Sequence, residues 1–110
     1  MPDTSGFQAD HKGRAYIEKD PNAELSYAVD WSDWMPISTS LDISSFTVST
    51  IAGDADPLTV GGSSLLNDQA IVNLTGGTAG NTYTVTNNIT SDNLDVDSRR
   101  FLVVVKERFL

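Results

Sequence analysis

The chain has 110 residues, the size of one compact domain with a single hydrophobic core. Seven Lys and Arg against fifteen Asp and Glu leave a formal charge of -8, which repels phosphate backbones and anionic lipid and so argues against nucleic-acid and membrane partners. The absence of cysteine excludes a disulfide framework, thiolate metal sites and a cysteine nucleophile, while 39% apolar residues supply a small core.

Met1 to Asp20 mixes polar and charged residues around isolated Phe7, Tyr16 and Ile17 without helical or strand periodicity. This predicts an extended arm over residues 1–20, ahead of a domain over 21–110. No basic segment leads into an apolar one after Met1, and the longest strongly apolar run, Phe101 to Val105, falls far short of the roughly 20 residues of a membrane span. The expectation is a soluble chain made in a cytoplasm. Pro21 marks the boundary, because it lacks a backbone donor and biases Asp20 toward extended geometry.

From Leu25 the pattern alternates, with Leu25, Tyr27, Val29 and Trp31 on one face of a strand. A second strand, rich in Thr, Val and Ile, is predicted from Phe46 to Ile51, followed by turn chemistry in Gly53 to Pro57. A short strand at Leu58 to Val60 is expected to stop at Gly61-Gly62, with Ser63 to Asp68 as loop. Gln69 to Thr75 groups Ala70, Val72 and Leu74; Thr82 to Thr90 groups Tyr83, Val85, Asn87 and Ile89; the glycine-rich Gly76 to Asn81 between them predicts a β-hairpin. The last strand, roughly Ser98 to Arg108, is apolar on both faces and therefore central in a sheet. These six or seven antiparallel strands, with no helical stripe, predict an all-β, immunoglobulin-like sandwich, with a closed barrel as the alternative. Trp31, Val72, Val85 and Val103 are expected to share one inter-sheet core.

The chemistry is sparse. His11, the sole histidine, sits in the predicted arm with nothing to hold it in a triad, and reads as a solvated imidazole. Asp92, Asn93, Asp95 and Asp97 have oxygen spacings that suit Ca²⁺, yet the loop lacks the Gly and Glu of an EF-hand and reads as an acidic turn; Asp54 and Asp56 read the same way. No catalytic, cofactor or metal residues are assigned. The sequons at Asn73 and Asn88 carry no meaning without a secretory signal. Asp30-Trp31-Ser32-Asp33-Trp34 holds both tryptophans: Trp31 has core parity, and Trp34, of opposite parity, suits a partner interface.

Lys19-Asp20-Pro21, Leu25-Ser26-Tyr27, Val29 to Trp34, Gly76 to Tyr83, Asn87 to Ser91 and the Val-rich final strand, in that order, resemble a family of small tailed-phage virion proteins, the fiber-tail adaptor or head-tail structural proteins. The resemblance spans about Ile17 to Val105 and departs after Ser91, where the family turns on a Gly. It implies a non-enzymatic β-sandwich of the bacteriophage virion, joining tail or neck to fibers through contacts with other virion proteins and with its own copies. The expected interface residues are Phe7, Tyr16, Trp34, Gly76, Gly77, Thr78 and Gly80. A capsid decoration protein is the alternative, and a carbohydrate-binding or hydrolytic module, using Trp34 or Tyr83, a third reading.

Overall fold

Period-two alternation becomes strand wherever the apolar parity finds a facing sheet to cover it. The computed structural model describes residues 8–9, 12–35 and 39–108. In them lie β1 (Gln8–Ala9), β2 (Ala15–Lys19), β3 (Leu25–Asp30), β4 (Leu41–Val48), β5 (Thr59–Leu66), β6 (Gln69–Thr75), β7 (Thr82–Ser91) and β8 (Val96–Val105), and no helix. Consequently no helix among the described residues is long and apolar enough to cross a membrane. The strands form a five-stranded sheet in the order β1-β2-β8-β7-β4 and a three-stranded sheet in the order β3-β6-β5. Every pairing is antiparallel except β2 with β8, where Ile17 lies beside Val103 and Lys19 beside Val105.

The core between the sheets takes Leu58, Val72 and Leu74 from the three-stranded side, and Ile17, Tyr83, Val85, Phe101, Val103 and Val105 from the other. A second cluster of Trp31, Leu41, Ala70 and Ile89 lies beside it. The fold is thus an all-β sandwich, with β8 central as its two apolar faces predict. Val72, Val85 and Val103 share the main core, whereas Trp31 belongs to the second cluster. Ala28, of the parity opposite to Trp31, is fully buried, and Leu25 is exposed.

The strand assignments change too. The strands on either side of Gly76 to Asn81 are present but are not a hairpin: β6 pairs with β3 and β5, and β7 pairs with β4 and β8. Each strand has one apolar parity, and these parities meet face to face across the core instead of side by side, so the loop arches from one sheet to the other. Hairpins lie elsewhere, at β5–β6 and at β7–β8. β5 continues through Gly61-Gly62 with an irregularity between Val60 and Gly62, and turns on Asn67, whose φ of 55° is a left-handed conformation that Asn tolerates. The stretch Ser63 to Asp68, expected as loop, is therefore mostly strand. β4 begins at Leu41, ahead of the expected Phe46. Ala15–Lys19, expected as part of an aperiodic arm, is a sheet strand that buries Ile17 and Lys19; five residues with one large apolar side chain facing inward are too short to register as alternation. Phe7 and His11 lie outside the described residues.

Val85 and Val103 have no exposed surface and lie in the core shared with Val72 and Leu74 of the other sheet. Truncating either to Ala should cost about 1–3 kcal/mol and lower the melting temperature. Limited trypsin treatment of the folded protein should cut after the exposed Lys12 and Arg14 and spare Lys19, whose side chain is buried within a paired strand; early cleavage at Lys19 would contradict the β2–β8 pairing.

Candidate functional site

The two segments with candidate interface residues fall at opposite ends of the sandwich. Leu25 pairs with Leu74, Thr59 with Thr75, and Lys19 with Val105, so the ends of β2 and β8 and the Gly76–Asn81 arch share one end. Asp30 pairs with Gln69, Leu66 with Gln69, and Val96 with Thr90, which puts Trp31 to Met35 and the Ser91–Val96 turn at the other. Ten residues of β7 run between them, about 30 Å at strand rise.

At the tryptophan end, Trp31 leaves β3 and is fully buried. Its backbone N–H donates to the Asp68 carbonyl at 2.8 Å, and its indole N–H donates to Asn87 Oδ1 at 2.8 Å. Asn87, also fully buried on β7, donates through Nδ2 to Ser44 Oγ and the Ser45 carbonyl, both at 3.0 Å. The Arg99 guanidinium lies 4.3 Å from the centre of the Trp31 ring, donates to the Asp30 carbonyl at 2.7 Å and pairs with Asp33 at 3.0 Å. The cation–π contact contributes about 0.5–1 kcal/mol, while the ion pair, with Asp33 in open solvent, adds little. Ser32 N–H donates to Asp30, which holds that carboxyl below its ordinary value. Trp34, expected to face out, stands edge-on to Trp31 with ring centroids 5.4 Å apart and is half-buried. The turn accounts for this: Trp34 and Met35 N–H groups both donate to the Trp31 carbonyl, so strand parity ends at Trp31.

At the other end, Lys19 is fully buried and donates from Nζ to the Gly76 carbonyl at 2.6 Å and the Asp20 carbonyl at 3.0 Å. Burial lowers its pKa, opposed by the nearby charges of Asp20 and Asp56. Gly76 and Gly77 have φ of 72° and 101°; a β-carbon would meet the Pro57 carbonyl oxygen at 2.9 Å and Val105 at 2.8 Å respectively. Both glycines therefore answer to the interior, and Gly77 is buried. Thr78 and Gly80 are exposed, Thr78 donating to Asp54 Oδ1 at 2.6 Å and Gly80 N–H to the Val105 carbonyl at 2.8 Å. The buried Tyr83 hydroxyl donates to Asp54 Oδ2 and accepts from Thr78 N–H at 3.1 Å. Tyr16, on the outer face of the five-stranded sheet, is half-buried and donates to Gln8 at 3.0 Å.

Lys19, Asp54 and Asn87 escaped the sequence reading as structural polar residues. For Asn87 the signal was present, as it alternates with Tyr83, Val85 and Ile89 on the buried parity. The Lys19 and Asp54 contacts span 57 and 24 residues, beyond any local pattern. Among the described residues no group of three or more acidic or histidine side chains is placed to hold a metal ion, the Asp92–Asp97 turn included.

Replacing Trp31 by Phe should strand Asn87 Oδ1 in the interior and cost about 1–3 kcal/mol by chemical denaturation beyond any packing loss. The Asp54 carboxyl is held below its ordinary 3.8, first by the Thr78 hydroxyl and then by Tyr83. A depressed carboxylate stabilises the fold fully above its unfolded value and ceases to do so as pH falls through the folded one. Stability should therefore fall less between pH 5 and pH 2 in Asp54→Asn than in the wild type (about this window for a carboxylate), as read by melting temperature.

A family model described as podophage GP4 fiber-tail adaptor protein gp77 matches residues 19–104, from the buried Lys19 to the penultimate residue of β8. No curated protein matches the chain.

Proposed function

Because the chain belongs to the podophage GP4 fiber-tail adaptor family, we propose that it is a non-enzymatic adaptor of the phage virion, made in the host cytoplasm and joining tail or neck to fibers through protein contacts in several copies. The observation that carries the reading is the family match across both sheets. The geometry supports it in a second way: two rigid ends, each braced by buried polar contacts, stand one sandwich length apart, an arrangement suited to bridging two neighbours. An acidic surface favours protein partners over nucleic acid. Trp34, with a half-exposed face, and Thr78 and Gly80, at the exposed crown of the arch, are the proposed contacts, with Tyr16 on the flank. Gly76 and Gly77 contribute by shaping the arch. The family match favours this reading over a capsid decoration protein.

Aromatic anchors at interface centres carry about 2 kcal/mol or more. Trp34→Ala should therefore lower fiber occupancy of assembled particles, counted by electron microscopy, while the isolated domain still unfolds cooperatively. Particles with a normal fiber complement would remove Trp34 from the interface, and normal fibers on particles lacking the chain altogether would overturn the adaptor role.

A further inference from the structure

The exposed apolar surface of the sandwich is concentrated at one end. Among the described residues, five large hydrophobic side chains are exposed: Leu25 at 43%, Ile43 at 59%, Leu66 at 51%, Leu94 at 79% and Val96 at 71%. All but Leu25 lie at the tryptophan end. Ile43, Thr90 and Val96 are cross-strand neighbours on β4, β7 and β8, so Ile43 and Val96 share the outer face of the five-stranded sheet with only Thr90 between them. Leu94, two residues before Val96 in the turn that joins β7 to β8, is exposed at the same end.

Leu94 is held there against its own preference. Its φ of 70° is left-handed, a region that a branched apolar residue rarely occupies and that glycine occupies freely. The turn is braced from several sides. Leu94 N–H donates to the Ser91 carbonyl at 3.0 Å, Ser91 N–H to the Asp95 carbonyl at 2.8 Å, and Asp92 N–H to the Ser40 carbonyl at 2.9 Å. Ser91 Oγ also donates to Asn93. A side chain kept in strained backbone, fully outside the core, gains nothing for the fold. Backbone of this kind persists where its surroundings fix it, and such residues cluster at binding and switch sites.

The surroundings select the partner. Asp42, next to Ile43, and Asp92 and Asp95, in the turn beside Val96, are all exposed at this end, on a chain that already carries -8. A second copy would bring the same carboxylates face to face, so like charge opposes self-association through this patch. We propose that Ile43, Leu94 and Val96 form a preformed socket edge that docks a different virion protein, through a basic surface whose Lys or Arg residues meet these aspartates around an apolar contact. This rests on the adaptor reading and specifies one of its two ends.

The test uses phage particles assembled with the full-length chain carrying a photo-crosslinking amino acid at position 94, 96, 34 or 78. Positions 94 and 96 should link to another virion protein, at a segment containing Lys or Arg. Links from 94 and 96 to a second copy, or none from them while 34 or 78 links to tail or fiber protein, would overturn the socket and leave the adaptor reading standing. No link to another virion protein from any of the four positions would count against both. Leu94→Gly supplies an independent arm: it relieves the backbone, so the isolated domain should melt at the same temperature or higher, yet incorporation into particles should fall at least about tenfold, the loss expected of an interface anchor. Asp42→Asn with Asp95→Asn should weaken incorporation and reduce its sensitivity to salt. Wild-type incorporation of Leu94→Gly would refute the proposal.

Discussion

The hydrogen bond from the Trp31 indole to Asn87 Oδ1 joins the two sheets at a point where neither group has access to water. An orphaned amide there would forfeit its solvation, so the bond constrains where β3 ends relative to β7 and, with it, the register of the small sheet over the large one. Asn87 passes the constraint on to β4 through Ser44 and Ser45. Arg99 then closes the outer side of the indole and carries it to β8. Strands from both sheets thus converge on one aromatic ring, and the Trp34 edge and the Ser91–Val96 turn lie just beyond it.

The opposite end solves a different problem. A chain crossing between sheets exposes backbone carbonyls that no ladder can satisfy. Lys19 supplies the donor for Gly76, and Tyr83, Asp54 and Thr78 bind the rest of the crossing together. A buried ammonium group is costly unless carbonyls and carboxylates surround it, as the two carbonyl contacts and the charges of Asp20 and Asp56 do here. That the lysine comes from β2 explains why this strand belongs to the folded unit: its parallel pairing with β8 delivers Lys19 to the arch.

The mechanical consequence suits a bridging protein. Both ends are fixed by buried polar contacts and separated by continuous ladders, so a load applied at one end is transmitted through sheet hydrogen bonds. The exposed large hydrophobic residues among those described are gathered mainly at the tryptophan end.

Strand identity was legible in the sequence because burial on one face imposes period two: Ala70, Val72 and Leu74, Tyr83, Val85 and Ile89, and Phe101, Val103 and Val105 are all buried as their alternation requires. The family resemblance was legible for a related reason, since its motifs lie on those strands and their turns. Pairing was not legible. A strand with one apolar face fits equally beside its neighbour in sequence or opposite it across a core, and the glycines of Gly76 to Asn81 serve a hairpin or an arch alike. Nor does alternation reveal a strand as short as Ala15–Lys19, or a β5 whose residues are mostly exposed. Composition, alternation and motif order identify an acidic, all-β, cysteine-free member of the fiber-tail adaptor family. Which strands pair, why Lys19 and Asn87 are buried, and where the exposed apolar residues gather were decided only by tertiary structure, because each depends on contacts between residues tens of positions apart.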